Sequence, residues 1–260
     1  MLDVSAIPIF LDNYVWLLSD GTDAVVVDPG AAAPVAAALA RHKLRLAAVL
    51  VTHHHPDHID GIPELLRGRD IPVYGPRAET AKIKTLTQLL DDGDNVDVLG
   101  QKFQVMSLPG HTLGHIAYYA PGTLLCGDTL FSAGCGRLFE GTPAQMWQSL
   151  SRLAALPGDT RVYCTHEYTL SNLAFAAAVE PASTAIRAHV DCVQALRAKG
   201  QPSLPTTLMR ELQINPFLRV EHPDVIAAAS RWRGGALQPG LEVFTALRQW
   251  KDRFKAPAST

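Results

Sequence analysis

Leu46-Ala47-Ala48-Val49-Leu50-Val51-Thr52-His53-His54-His55-Pro56-Asp57-His58 joins an unbroken apolar run to an H-x-H-x-D-H cluster. Six apolar residues without alternation read as a short buried strand, which delivers the polar cluster to the strand's carboxyl end. If the chain stays extended through the cluster, His53 and His55 project to the same side and can hold one ion together. Asp57 and His58 follow Pro56 into an expected helix over Ile59–Arg67 and point elsewhere, so a single motif can serve two metal sites. Imidazoles crowded beside a carboxylate are costly unless a divalent cation takes their lone pairs.

Three more candidates lie at the ends of strand-like runs: His111 after Phe103–Leu108, Asp128 after Leu124-Leu125-Cys126, and His166 after Val162-Tyr163-Cys164. Each is embedded in small or turn residues, where glycine lets the backbone approach a tight centre. The set supplies His53, His55 and His111 for one ion and Asp57, His58 and His166 for another, with Asp128 as a bridge. Imidazole mixed with carboxylate suits zinc foremost, with iron or manganese as alternatives, rather than magnesium or calcium. With no thiolate among the candidates, a closed structural zinc site is not expected. Two ions roughly 3.5–4 Å apart activate water and polarise a carbonyl, so the expected chemistry is hydrolysis.

A chain of 260 residues with 47% apolar composition can bury a full core. Its net charge of −2, without a dense Lys/Arg block, gives no electrostatic reason to bind nucleic acid or an anionic membrane, so a small-molecule substrate is expected. The amino-terminal apolar stretch is broken by Asp12-Asn13 and no run reaches transmembrane length, which suits a cytoplasmic protein without a membrane partner. Cys126, Cys135, Cys164 and Cys192 form no C-x-x-C pair and read mostly as buried thiols.

Up to Tyr168 the chain alternates strand-like runs with turns and a few helices. The runs are Ser5–Phe10, Tyr14–Leu18, Ala24–Asp28, the strand into the cluster, Ile71–Tyr74, Asn95–Val98, Phe103–Leu108, Ile116–Tyr119, Thr123–Cys126 and a last strand Arg161–Cys164. Asp20-Gly21 marks a hairpin, Ala33–His42 a helix, and Pro143–Leu156 a helix with proline in its first turn. From Leu170 onward five helices are expected: Leu170–Val179, Ser183–Lys199, Thr206–Leu212, Pro223–Trp232 and Gly240–Phe254. Two strand-rich halves around Gly75–Asp94 fit two facing sheets, giving an α/β sandwich with a helical appendage.

The ordered ligand set resembles that of the metallo-β-lactamase superfamily, whose fold is an αββα sandwich. Within it the chain most resembles the glyoxalase II family of hydroxyacylglutathione hydrolases, over nearly its whole length. Cys126-Gly127-Asp128-Thr129-Leu130-Phe131 leading to Gly134-Cys135-Gly136-Arg137-Leu138-Phe139-Glu140-Gly141-Thr142 resembles that family's characteristic segment. His166-Glu167-Tyr168-Thr169, Asn215-Pro216-Phe217-Leu218-Arg219 and Arg248-x-x-Lys251-Asp252-x-Phe254-Lys255 do as well.

A monomer is expected, and the resemblance implies a catalytic metal-binding domain over 1–169 and a helical glutathione-binding domain over 170–260. It implies a thioesterase that turns S-D-lactoylglutathione and water into D-lactate and glutathione through a hydroxide held by two metals, the second step of methylglyoxal detoxification. Arg137, Phe139, Tyr168, Arg248 and Lys251 would surround the glutathione portion, with Arg248 and Lys251 gripping its glycine carboxylate. Asp57 would also orient the hydroxide, and Asp28 would fix a ligand imidazole from behind. The sequence departs from the family pattern in three places: Phe139 stands where some members have tyrosine, Arg137 where lysine is common, and Asp60-Gly61 where many superfamily members have Gly-Gly.

Singly, a histidine after a strand is more often a hydrogen-bonded loop residue than a ligand, and a basic helix face is ordinarily solvated. His54 and His115 read as packing or neighbouring residues, Cys135 as a packed one, and His42, His189 and His222 as solvent-facing. Two other functions remain open at this level: a mononuclear iron dioxygenase acting on glutathione persulfide, and a catalytically silent binding module.

Overall fold

The amino-terminal runs fold as the meander they spell out. In the computed structural model, which describes residues 2–255, β1 (Asp3–Ile9) pairs antiparallel with β2 (Asn13–Ser19), and β2 with β3 (Asp23–Val27). The β2–β3 turn is held by Asp20, whose Oδ1 accepts from the backbone N–H of Thr22 and Asp23, both at 2.8 Å. Helix α1 (Ala32–His42) then carries the chain back to β4 (Arg45–Leu50), which lies parallel to β3. The short β5 (Val73–Pro76) and β6 (Gln88–Leu90) complete a six-stranded sheet in sequence order.

The second sheet is built from β7 (Asn95–Val98), β8 (Gln101–Ser107), β9 (Ile116–Ala120) and β10 (Thr123–Gly127), all antiparallel neighbours. A two-stranded ribbon, β11 (Leu130–Phe131) and β12 (Gly134–Cys135), follows, and β13 (Arg161–Cys164) adds parallel to β10.

Strand β2 is buried along its whole length because both its faces are covered. Tyr14, Trp16 and Leu18 enter the cluster that includes Phe103, Val105, Tyr118 and Leu124 of the facing sheet. Val15 and Leu17 point the other way, against Val35 and Leu39 of α1. The period of two thus divides one apolar run between an inter-sheet core and an outer helix–sheet core, and this layering is the αββα arrangement expected. On the other outer face, α4 (Pro143–Ala154) starts with a complete capping box, Thr142 and Gln145. It buries Met146, Leu150 and Leu153, each worth about 1.5–3 kcal/mol relative to exposure.

Three expectations change. The helix expected over Ile59–Arg67 is two single-turn helices, α2 (Pro56–Ile59) and α3 (Ile62–Leu65). The chain bends at Gly61, where an added Cβ would lie 2.5 Å from the Pro29 carbonyl oxygen; the neighbouring Asp60 is exposed. The helix expected from Thr206 instead starts at α7 (Leu208–Ile214), because Thr206 and Thr207 form β14, which pairs with β13 and extends the second sheet. The strand Arg161–Cys164 is therefore not the last. Thr207 then caps α7 by accepting from the Arg210 N–H at 3.3 Å.

The other helices, α5 (Thr169–Val179), α6 (Thr184–Ala198), α8 (Pro223–Arg233) and α9 (Leu241–Arg253), appear where periodicity places them. Phe175, Phe217, Phe244 and Leu247 from this segment share the inter-sheet apolar cluster. Among the described residues no helix is long and apolar enough to cross a membrane.

Candidate metal centre

The loops at the carboxyl ends of β4, β8, β10 and β13, with the turn between β1 and β2, converge at one edge of the sandwich. His53, His55 and His111 present three nitrogens to one another: His55 Nδ1 lies 3.0 Å from both His53 Nε2 and His111 Nε2. The ligand atoms of Asp57, His58 and His166 form a second nest, and Asp128 lies between the two. Its Oδ1 is 3.5 Å from His58 Nε2, and its Oδ2 is 3.3 Å from both His111 Nε2 and His166 Nε2. All seven sequence candidates therefore meet.

Neighbouring acceptors decide which ring nitrogen faces inward. His111 Nδ1 donates to the Arg137 carbonyl at 2.8 Å, His58 Nδ1 faces Asp28 Oδ2 at 3.1 Å, and His166 Nδ1 faces Asp12 Oδ1 at 3.0 Å. His53 Nδ1 donates to Thr52 Oγ1 at 3.0 Å, because that hydroxyl is itself spent on Asp28 Oδ2 at 2.7 Å. Carbonyl and carboxylate oxygens only accept, so these four histidines keep a proton on the outward nitrogen, which leaves Nε2 as the atom each can offer to a cation at the centre. Asp28, expected to fix a ligand imidazole without one being singled out, lies behind His58 and also accepts from the Thr52 N–H at 2.7 Å. Its φ of 54° lies in the left-handed region, which Asp tolerates better than most residues.

These residues fit divalent cations. His58 Nε2 and Asp128 Oδ1 are buried without a hydrogen-bond partner, and in the first nest two Nε2 atoms crowd His55 Nδ1 at 3.0 Å each. Burial, followed by the surrounding imidazoles, pushes His53 well down; burial and His111 lower His55 to about 4. The first nest is thus neutral and ready to ligate at pH 7. The second nest is compensated by protons. Burial opposes the charged form of His166, yet Asp128, Asp12 and Asp57 raise it to about 9. Burial also works against the Asp128 carboxylate, but His166 and His58 hold it well below the usual range. A cation entering there would displace protons.

Close packing leaves no room for side chains behind the ligands. A Cβ on Gly136 would fall 1.9 Å from the Asp128 carbonyl oxygen. Gly127, at φ 48°, has Thr52 Oγ1 only 2.4 Å from where its Cβ would be.

Some contributors carried no sequence signal as ligands. Asp12 and Asn13 break an apolar stretch, but in the structure Asp12 fixes His166, and Asn13 Nδ2 donates to Asp57 Oδ2 at 2.8 Å. His115 is fully buried, stacks on His53 at 4.8 Å, and accepts from the Asp128 N–H at 3.1 Å, in keeping with its expected packing role. His54 faces Glu79 Oε2 at 3.0 Å rather than the nests. His42 is exposed and the His222 side chain stays 41% exposed although its Nδ1 comes within 3.8 Å of Glu180, whereas His189 is half-buried rather than solvent-facing.

A cavity of about 470 Å³ opens onto both nests, lined by His55, Asp57, Asp128, Phe131, Arg137, Phe139 and Tyr168 among others. Tyr168 stacks on His166 with ring centroids 4.6 Å apart. Phe139, 60% exposed, sets its edge against His55 and His111, and the Arg137 guanidinium lies 5.7 Å above its ring.

Arg248 and Lys251 do not line this cavity. Arg248 is 6% exposed, donates from Nη1 to the Cys135 carbonyl at 3.1 Å and from Nη2 to Asp252 at 2.9 Å. Lys251 donates to the Ser171 carbonyl at 3.1 Å, and burial followed by Arg248 lowers its pKa to about 8. Cys126, Cys135 and Cys164 are buried thiols, while Cys192 is exposed.

Residues 9–166 match the family model described as metallo-beta-lactamase superfamily, and residues 167–254 the one described as hydroxyacylglutathione hydrolase C-terminus. A hydroxyacylglutathione hydrolase of Vibrio parahaemolyticus is 52% identical, the alignment covering 98% of this chain and 100% of that one. Among solved structures, the BLEG-1 B3 metallo-beta-lactamase is 25% identical with a TM-score of 0.65, covering 83% of this chain and 99% of that one. TTHA1623 in a di-iron-bound form is 27% identical with a TM-score of 0.58, covering 83% of this chain and 100% of that one.

Proposed function

The chain belongs to the hydroxyacylglutathione hydrolase family of the metallo-β-lactamase superfamily, and from that premise we propose how its residues carry out thioester hydrolysis. It is a metal-dependent hydrolase of the glyoxalase II type, converting S-D-lactoylglutathione and water to D-lactate and glutathione. One observation carries the dinuclear reading: Asp128 reaches both nests, its Oδ2 lying 3.3 Å from His111 Nε2 of the first and from His166 Nε2 of the second, while its Oδ1 lies 3.5 Å from His58 Nε2 of the second.

His53, His55 and His111 would hold one divalent cation, Asp57, His58 and His166 the other, and Asp128 would touch both. When bound, the pair supplies a lowered water pKa and a Lewis acid for the thioester carbonyl. Imidazole and carboxylate without thiolate favour zinc, with iron or manganese as alternatives.

The protein's own groups do the positioning. Asn13 holds Asp57 Oδ2, leaving Asp57 oriented toward the cavity, where it would align the attacking oxygen as well as ligate. Phe139 offers the substrate an apolar wall but no hydroxyl, so a hydrogen bond available to relatives with tyrosine is absent here. Arg137 and Tyr168 would contact the glutathione portion from the opposite walls. Lys251 would meet the glycine carboxylate, and Arg248 would add its charge while bracing the Cys135 carbonyl beneath. The departing thiolate has a free-thiol pKa near about 8.5, so no protein acid is needed to protonate it as it leaves.

Purified protein incubated with S-D-lactoylglutathione should consume the thioester absorbance, lose that ability after chelation and regain it with added zinc. No turnover by metal-replete protein would refute this reading.

A further inference from the structure

The segments that carry His53–His55 and His111 lie outside any strand or helix, yet three ring nitrogens must converge to about 2 Å from one point to hold an ion. Both segments end on the same buried side chain. Glu79, 2% exposed, accepts from Thr112 Oγ1 through Oε1 at 2.5 Å, and its Oε2 lies 3.0 Å from His54 Nδ1, a charge contact outside hydrogen-bond geometry between two otherwise unpartnered buried atoms. Thr112 follows His111 directly, and His54 lies between His53 and His55. Gly114 packs so closely that a Cβ there would sit 2.4 Å from Glu79 Cγ. The proposed reaction makes no use of this carboxylate.

We propose that Glu79 is a positioning residue for the first nest, clamping the His53–His55 and His111 segments together through one oxygen each. This rests on the reading that the nests hold cations. A carboxylate suits the task because both its oxygens accept and lie a fixed distance apart, and burial makes each lost partner costly. On its other side, His54 Nε2 lies between Lys82 Nζ at 3.3 Å and Glu140 Oε1 at 3.4 Å, so the ring is held between two acids and an ammonium. Lys82 also pairs with Glu140, whose Oε2 accepts from the Leu113 N–H at 2.9 Å, so a second acid reinforces the same junction. Because the Lys82 ammonium already supplies positive charge to His54 and Glu140, this cluster is a brace and not a third metal site.

The test is metal affinity, not turnover. Chelator-stripped full-length protein is titrated with zinc against a chromophoric competitor, beside Glu79→Ala and Glu79→Gln. The parent takes up two ions. Glu79→Ala binds one as the parent does and the other about 10- to 100-fold more weakly, the usual effect of removing a partner behind a ligand. Glu79→Gln, which keeps an acceptor for Thr112, falls between them; this graded rescue is not expected of a residue that only fills space. In a His58→Ala background, where only the first nest is complete, the Glu79→Ala loss falls on the single remaining ion.

A folded Glu79→Ala protein that binds both ions with parental affinity overturns the proposal. A parent chain that binds no ion overturns the nest reading itself, and the same titration separates the two results. If Glu79→Ala fails to fold, Thr112→Val and His54→Asn each cut one tether. Weakened binding of one ion in both supports the clamp, and unchanged binding in both overturns it.

Discussion

Arg248→Ala separates two roles that family resemblance and structure give to the same side chain. The guanidinium is 6% exposed and bridges α9 to the ribbon that follows Asp128. Its removal leaves the buried Cys135 carbonyl without that donor, which costs about 1–3 kcal/mol. It also ends a guanidinium–ring contact with Phe217 at 5.1 Å, worth about 0.5–1 kcal/mol. The pair with Asp252 adds only a few tenths of a kcal/mol, because that carboxylate is 33% exposed and the two lie four residues apart on a helix. The expected loss is about 3 kcal/mol, a fall in Tm of roughly 6–12 °C for a chain this size. Circular dichroism melts of metal-replete protein measure it, with Arg248→Lys as a control that keeps charge but not the two-way span. In the same preparations, KM for S-D-lactoylglutathione should rise more than kcat falls, because the charge contributes to ground-state as well as transition-state binding. A Tm within about a degree of the parent would refute the brace. A folded variant with unchanged KM would refute the carboxylate contact, leaving Arg248 a purely internal strut.

Three further outcomes are expected. Asp128→Ala should lose metal as well as activity, and elemental analysis finding two ions still bound would disprove the bridge. Lys251, its pKa lowered to about 8 by burial and Arg248, carries its ammonium charge below that pH and loses it above. KM should therefore climb as pH rises through 8, and it should be higher and flatter in Lys251→Met; a parental KM flat from pH 7 to about 9.5 would exclude this contact. Gly136→Ala drives a Cβ to within 1.9 Å of the Asp128 carbonyl oxygen, which is backbone and cannot swing aside. It should cost about 3 kcal/mol or more and lower metal content together with Tm, and a fully loaded variant of parental stability would contradict the packing.

Much of the fold was legible because its signals are local. The continuous apolar run of β4 announced a buried strand, Asp20-Gly21 announced a hairpin, and Pro143 announced the first turn of α4. What sequence periodicity missed were elements whose reason is not wholly local. β6 is three residues long, and β14 exists because β13 offers it an edge. The break between α2 and α3 is partly local, since Pro63 has no N–H to continue the helix, and partly tertiary, since the Gly61 N–H goes to the Pro29 carbonyl at 3.0 Å.

The sequence by itself picked out the candidate ligand set. Five histidines and two aspartates stand in an order and spacing that a strand-end metal site requires, and residue type alone selects the chemistry of the donors. Only the tertiary structure decided which nitrogen each imidazole offers, since that depends on acceptors far away in the chain: Asp12 for His166, Asp28 for His58, and the Arg137 carbonyl for His111. It also decided that Glu79 joins two ligand loops and that Arg248 is buried, because hydrogen-bond partners and solvent exposure are set by which surfaces meet, and no spacing along the chain encodes that.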